Sequence, residues 1–246
     1  MRILIITTTW GRDHITALFL DYYKHLKSKL KSKGIALDMI AGVSEEHHFN
    51  MVKNRGFTPV MAENNPLGNK FNITLQAARN KNFDYILILG SDDFLSAQAF
   101  DFYARNTQFG YIGFLDFYVF DTITQRMAFW PGYKRGRKGE PAGAGRLIKR
   151  DIIEKANYKL WFPLKNKGLD LSMSKHLITI PHQKLIVSSR SQGILILGAK
   201  SPENLGAFNR YAHQRYAQPK KSLIRYFGPS YGKKLYELGQ RSGSDD

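Results

Sequence analysis

The sequence predicts an α/β fold built on a mostly parallel sheet flanked by helices. Three observations predict it: short apolar runs over residues 3–6 and 85–89, helical stretches between such runs, and turn residues where the pattern changes. A parallel sheet is covered on both faces, so its strands read as continuous apolar runs rather than as alternation. At 246 residues and 43% apolar composition, the chain has enough material for one large α/β core.

Residues 1–9 read as a buried strand that ends at polar residues, with Gly11 just beyond. A helix follows over residues 14–33, with Leu18, Tyr22, Leu26 and Leu30 four apart on one face, and Gly34 stops it. Residues 35–43 and 57–61 are the next strands, 72–81 a helix with one apolar face, and 85–89 the clearest buried strand. Residues 111–120 form one or two aromatic-rich strands, and 127–130 another before Pro131 and Gly132 turn the chain. From Tyr133 to Arg150 the chain carries Lys134, Arg135, Arg137, Lys138, Arg146, Lys149 and Arg150 among glycines, and is expected to begin as a mobile cationic loop. Residues 150–156 and 171–177 read as short helices, and 178–187 as a strand broken by Pro181. Beyond Tyr211 a basic tail holds Arg215, Lys220, Lys221, Arg225, Lys233, Lys234 and Arg241, interleaved with Tyr216, Tyr226, Phe227, Tyr231 and Tyr236. Its last five residues are expected to be disordered.

Composition narrows the function. The absence of cysteine removes disulfides, thiolate catalysis and thiolate zinc sites. No apolar run approaches the roughly 20 residues of a membrane helix and no signal segment opens the chain, so a cytoplasmic protein is expected. Thirty-seven Lys and Arg against 20 Asp and Glu give +17. Such an excess repels itself in a compact state, which points to a polyanion, either nucleic acid or an anionic membrane surface touched peripherally. Some small cytosolic proteins are simply basic.

The chemistry is expected where the sheet's strands end. The run through Leu89 enters Gly90-Ser-Asp-Asp93, placing two carboxylates at such an end. Adjacent carboxylates suit a hard divalent cation that borrows further ligands from phosphates, although paired acids also cap helices. The glycines of residues 136–145 lack the Gly-Lys-Ser/Thr ending of a P-loop, and Thr-Thr-Thr-Trp-Gly after Ile6 lacks dinucleotide spacing.

Asn65-Pro-Leu-Gly-Asn-Lys-Phe-Asn72, a helix, and then Phe83 through Leu95 with its aspartate pair resemble the GT-A glycosyltransferases, especially the family-two-like group. Thr7-Thr-Thr-Trp-Gly-Arg12, Gly143-Ala-Gly-Arg146 and Lys167-Gly-Leu-Asp170 extend the resemblance to about residue 210. It implies a Rossmann-like GT-A domain with residues 1–110 as the nucleotide-sugar half, 111–210 as a smaller acceptor-side half, and 211–246 as the basic tail. It further implies that Thr8, Arg12 and Lys70 contact the nucleotide of a donor such as a UDP-sugar. Asp93, helped by Asp92, would hold Mn²⁺ or Mg²⁺ on the diphosphate, with Asp92 alternatively on the ribose. Asp170 matches the base that deprotonates the acceptor hydroxyl in inverting members, although the family writes two acids where this chain has Leu169 before Asp170. The same Asp170 would serve equally as a helix N-cap. His182 is available as a third metal ligand and is otherwise structural, as is His176. Lys200 could reach the diphosphate or be a solvated loop lysine.

The acceptor is read from charge. Arg135, Arg137 and Arg146 in the loop, and Lys220, Lys221 and Arg225 in the tail, have aromatic neighbours, a combination that suits phosphates and stacked bases. The chain resembles bacteriophage enzymes that glycosylate hydroxymethylated pyrimidines in DNA, which implies a base flipped toward Asp170. The alternatives are a bacterial envelope glycosyltransferase acting on a lipid-linked sugar, its basic tail resting on anionic lipid, and a catalytically inactive nucleic-acid binding module. Pro219 and Pro229 are expected to interrupt any long amphipathic helix in the tail.

Overall fold

Strand β1 (Arg2–Thr8) sends Ile3 and Ile5 into one apolar cluster and Leu4 and Ile6 into another, and β4 (Tyr85–Ile88) divides Tyr85 and Leu87 from Ile86 and Ile88 in the same way. This period of two buries both faces of the sheet and accounts for the unbroken apolar runs. The computed structural model describes residues 1–202, 208, 214–215 and 218–238. Arg210, Tyr211, Tyr216, Arg241 and the five terminal residues lie outside the described residues, as do the side-chain contacts of Arg215.

In chain order the elements are β1, α1 (Asp13–Lys31), β2 (Ala36–Val43), α2 (Glu46–Lys53), β3 (Thr58–Met61), α3 (Leu67–Gln76), β4, β5 (Asp93–Leu95) and α4 (Ala97–Arg105). Then come β6 (Tyr111–Phe114), β7 (Phe117–Asp121), β8 (Met127–Trp130), β9 (Arg146–Lys149), α5 (Arg150–Lys155) and α6 (Leu169–Leu177). The last are β10 (Lys184–Val187), β11 (Ile196–Lys200), β12 (Gln214–Arg215) and α7 (Pro219–Tyr236). The main sheet has the order β10-β6-β9-β4-β1-β2-β3 and is parallel except for β9, which runs against both β4 and β6. A second sheet has the order β12-β8-β7-β11-β5.

Helix α1 buries Leu18, Tyr22, Leu26 and Leu30 on one face of the main sheet, and α3, α5 and α6 cover the other with Phe71, Leu75, Ile152, Ile153, Met173 and Leu177. Gly34 takes φ 71° just past α1, a left-handed conformation that a residue with a Cβ adopts at a cost.

Several expectations are corrected. The helix expected over 72–81 starts five residues earlier, because the loop at 162–166 satisfies its first-turn donors: Leu67 N–H donates to Asn166 Oδ1 at 2.7 Å and Gly68 N–H to the Lys165 carbonyl at 2.8 Å. Residues 146–149, expected within a mobile loop, are the strand β9 at the middle of the main sheet. The strand expected over 178–187 is confined to Lys184–Val187, and α2, β5 and β11 are additional elements. Helix α7 is interrupted at Gly228 (φ 80°), beside Pro229.

Asn72 fastens α3 to the segment before α6. Its Nδ2 donates to the Trp161 carbonyl at 2.8 Å, and its Oδ1 accepts from the N–H groups of Leu160 and Trp161 at 3.1 and 3.2 Å. All three bonds are buried, so Asn72→Ala strands three backbone groups at once. The variant is expected to lose about 3 kcal/mol of stability in a urea titration with an unchanged m-value; a loss below about 1 kcal/mol would show that water replaces these bonds.

Candidate active site

The parallel strands all end on one side of the main sheet, and the chain just beyond β4 carries Ser91, Asp92 and Asp93 there. Asp93 is not a helix cap: it opens β5, while α4 begins only at Ala97. The antiparallel ladder of β5 with β11 pairs Asp93 with Gly198, and the Asp92 carbonyl accepts the Ala199 N–H at 2.9 Å. This register places Ala199 opposite Asp92 and Lys200 one residue beyond it, from where Lys200 Nζ reaches Asp92 Oδ2 at 2.6 Å across 108 residues of chain. Gly198 leaves the room, since a Cβ there would stand 3.3 Å from the lysine's Cε and Nζ.

Arg12 completes the pairing. It holds φ 53° at the N-cap of α1, a left-handed conformation that costs a residue with a side chain roughly 1 kcal/mol. From there its guanidinium reaches Asp92 Oδ2 at 3.3 Å and the Ser91 hydroxyl at 3.0 Å. Asp92 is buried with two cations against it. Asp93 has less compensation: its Oδ2 accepts the Gly90 N–H at 2.7 Å, closing the turn. Burial, and then the Asp92 charge, push its carboxyl up to about 7, against the opposing pull of Lys200.

Asp93, Lys200 and Asp170 face one cavity of about 270 Å³, with walls that include Phe71, Phe117, Trp130, Tyr133 and Trp161. Asp170 lies in the first turn of α6, behind Gly168 at φ 69°, and makes no capping bond to the helix. Its Oδ2 accepts the Tyr133 hydroxyl at 2.5 Å. Burial, followed by the Asp170 charge, raises the Tyr133 pKa and keeps the phenol protonated as the donor. The guanidinium of Arg137 lies 3.6 Å from the Tyr133 ring centroid and pairs with Glu140 at 2.8 Å. Gly143 approaches so closely that a Cβ would fall 2.5 Å from Asp170 Oδ1.

Other expected site residues are placed differently. Thr8 ends β1 at this side of the sheet, largely buried beside Gly42. Lys70 is fully buried, and its ammonium is engaged by the Thr9 carbonyl at 2.6 Å, Ser44 Oγ at 3.1 Å and Asn64 Oδ1 at 3.1 Å. It braces the loops beyond β1 and β2 rather than presenting a charge to a nucleotide, and burial lowers its pKa to about 8. Arg146 is also fully buried and is no surface contact for an acceptor. Its guanidinium donates to the carbonyls of Pro141 and Ala142 at 2.8 Å and to that of Asp170 at 3.1 Å, a post beneath the Asp170 turn.

His182 does not join the acidic pair. It precedes β10 at the starting end of β6, its ring against Tyr111 and its Nδ1 2.6 Å from the Ile180 carbonyl oxygen, whereas Asp93 lies beyond the finishing end of β4. Arg135 is exposed, while Lys220 and Lys221 line a separate groove with Gln218, Pro219, Ile224 and Tyr236. The tail's aromatics turn inward: Phe227 is buried against Tyr22, and the Tyr231 hydroxyl donates to the Asp21 carbonyl at 3.0 Å. They anchor α7 to α1, and Lys220, Lys221 and Arg225 remain exposed.

Sequence reasoning missed Tyr133, whose only signal was an aromatic cluster after Met127. It also assigned no role to Trp130 and Trp161.

No protein-family model and no curated protein matches the chain. Solved structures do. A crystal structure of S. aureus TarS shares 13% identity at a TM-score of 0.53, covering 100% of this chain and 44% of that one. The crystal structure of S. aureus TarS 1-349 shares 10% at 0.50, with 78% and 62% covered. The inositol-1-phosphate CTP transferase from T. maritima shares 9% at 0.52, with 98% and 97% covered. The chain thus spans less than two thirds of either TarS chain. The likeness is one of fold, a Rossmann-like sheet of the GT-A kind.

The raised Asp93 carboxyl gives a signed test. The folded chain binds a proton there that the unfolded chain releases near pH 4, so stability from this group is present at low pH and lost as pH rises toward 7. In metal-free buffer, Asp93→Asn is expected to raise the thermal midpoint at pH 8 and leave it unchanged at pH 4. Equal effects at both values would show that the carboxyl is not perturbed.

Proposed function

We propose that this protein is a metal-dependent glycosyltransferase that moves a sugar from a nucleotide-sugar donor to a hydroxyl acceptor. The observation that carries this reading is the placement of Asp93 and Asp170 on one aromatic-walled cavity at the finishing end of a GT-A sheet. The residues present fit a divalent cation. Asp92 is already matched by Lys200 and Arg12, whereas the Asp93 carboxyl is pushed up by burial and by the Asp92 charge, so a further positive charge beside it would favour its ionised form. Mn²⁺ or Mg²⁺ at Asp93 would neutralise charge on the donor diphosphate as it leaves. Lys200 and Arg12 add positive charge beside it, and Trp10, half exposed just past β1, offers a flat face to a nucleobase such as uracil.

The acceptor hydroxyl oxygen attacks the anomeric carbon, the bond from that carbon to the diphosphate oxygen breaks, and the hydroxyl proton passes to Asp170. Tyr133 and the Arg146 post hold that carboxylate in place. The acceptor we favour is a hydroxymethylated pyrimidine in DNA. Its support is the +17 charge, the exposed Arg135, Lys220, Lys221 and Arg225, and aromatic walls able to receive a flipped base. Among the described residues no helix is long and apolar enough to cross a membrane.

Incubation with Mn²⁺ and a panel of nucleotide sugars should release nucleoside diphosphate, and Asp93→Ala should reduce release to background. Asp170→Asn should lower transfer at least a hundredfold while leaving the donor KM within about threefold; Gly143→Ala, which pushes on the same carboxylate, should show a smaller loss in the same direction. Release of pyrophosphate from a nucleoside triphosphate instead would replace glycosyl transfer by nucleotidyl transfer. For the acceptor, mass spectrometry of nucleosides from treated hydroxymethylated and plain DNA should show one added hexose on the former alone. Strong binding to anionic vesicles with no salt-sensitive binding to duplex DNA would instead favour a lipid-linked acceptor.

A further inference from the structure

A second group of ionisable side chains gathers away from the Asp93 cavity, where the loops beyond β1 and β2 meet. Asp13 opens α1, His47 and His48 lie in the first turn of α2, and Glu45 immediately precedes that helix. Asp13 Oδ1 stands 3.2 Å from His47 Nε2 and 3.0 Å from His48 Nε2, and Glu45 Oε2 stands 2.9 Å from His48 Nδ1. One ligand atom from each of Asp13, His47 and His48 can be chosen so that all lie within 4.8 Å of one another.

His48 is the informative member. It is completely buried, yet neither ring nitrogen makes a hydrogen bond, although both carboxylates are within reach. The oxygens stand close to the nitrogens but off their bonding axes. A protonated imidazole clasped between two acids would align its N–H groups with them, so simple ion pairing leaves this arrangement unexplained. Ligands arranged around one ion produce short off-axis spacings of the kind His48 shows, whereas His47 Nε2 meets Asp13 Oδ1 with hydrogen-bond geometry at 3.2 Å.

We propose that Asp13, His47 and His48 form a binding site for a divalent first-row transition ion such as Zn²⁺, with the Glu45 carboxylate 2.9 Å from the other nitrogen of His48. Tetrahedral ligands at the usual zinc distances stand about 3.3 Å apart, close to the 3.0 and 3.2 Å found here. Two imidazoles and one carboxylate favour such an ion over Mg²⁺ or Ca²⁺, which prefer all-oxygen sites. The side chains of Asp13 and His47 are 60% and 50% exposed, leaving a side on which water completes the coordination. Glu45 also accepts the Gly11 N–H at 3.4 Å. The ion therefore clamps the loop that carries Arg12 onto α2, and its role is to stiffen the nucleotide side of the cleft.

Co²⁺, which reports tetrahedral nitrogen and oxygen ligation by its visible band, tests the site in the whole chain. The band should appear on titration, be displaced by Zn²⁺ and survive excess Mg²⁺. It should persist in Asp93→Asn, which separates this site from the acidic pair. In Asp13→Asn and His47→Asn, both changes at exposed side chains, Co²⁺ should bind at least tenfold more weakly with unchanged far-ultraviolet circular dichroism. No band in the unmodified chain, a band lost in Asp93→Asn, or a band unaltered in both ligand variants would each overturn the proposal.

Discussion

The contact between Lys200 and Asp92 is the constraint on which the rest of the cleft depends. Two neighbouring carboxylates at a buried strand end repel each other and lose hydration, so at least one must find a fixed counter-charge. Lys200 supplies it from the end of β11, the strand beside β5, and it can do so only because the two hold their register. Once Asp92 is matched, the unmet demand for positive charge falls on Asp93, and the cavity acquires a defined electrostatic character. Arg12 in its left-handed conformation reinforces the same choice from the N-terminus of α1.

The basic excess of the sequence is not all one thing. Arg146 lies at the centre of the main sheet and spends its guanidinium on carbonyl oxygens around the Asp170 turn, a use of arginine's fixed fork of donors that lysine could not reproduce. Lys70 is consumed in the same way beneath the loops after β1 and β2. Of the basic residues expected at an acceptor, Arg135, Lys220, Lys221 and Arg225 are exposed. Among the described residues Lys70 and Arg146 are the buried cations, which leaves the overall argument from charge standing while removing one of its named contacts, Arg146.

Much of the fold was legible because hydrophobic burial writes a strong local pattern. The runs at β1 and β4 and the four-residue spacing of α1 need nothing distant to be recognised. Asp92 and Asp93 were legible for the same reason, since they follow such a run directly. β9 was not, because Leu147 and Ile148 are only two apolar residues between basic ones, and what buries Arg146 is supplied by segments far along the chain. β5 is three residues long and exists through its pairing with β11. Tyr133 meets Asp170 across 37 residues, a closure no local period announces. His182 reads as an available third ligand, but β10 begins only at Lys184 and leaves His182 against Tyr111 at the starting end of the sheet.

The reversed direction of β9 has an evolutionary corollary. To enter the sheet against the grain, the chain between Trp130 and Arg146 first passes along the cavity, which it lines with Tyr133, Gly143 and Ala144, before its end pairs with β4. The exposed stretch in between answers to no ladder. Insertions and deletions at the exposed residues 134–136 and 138–139 would leave Asp92, Asp93 and their cations undisturbed, so the rim of the cavity can vary in descendants of this chain while its charged floor is inherited intact.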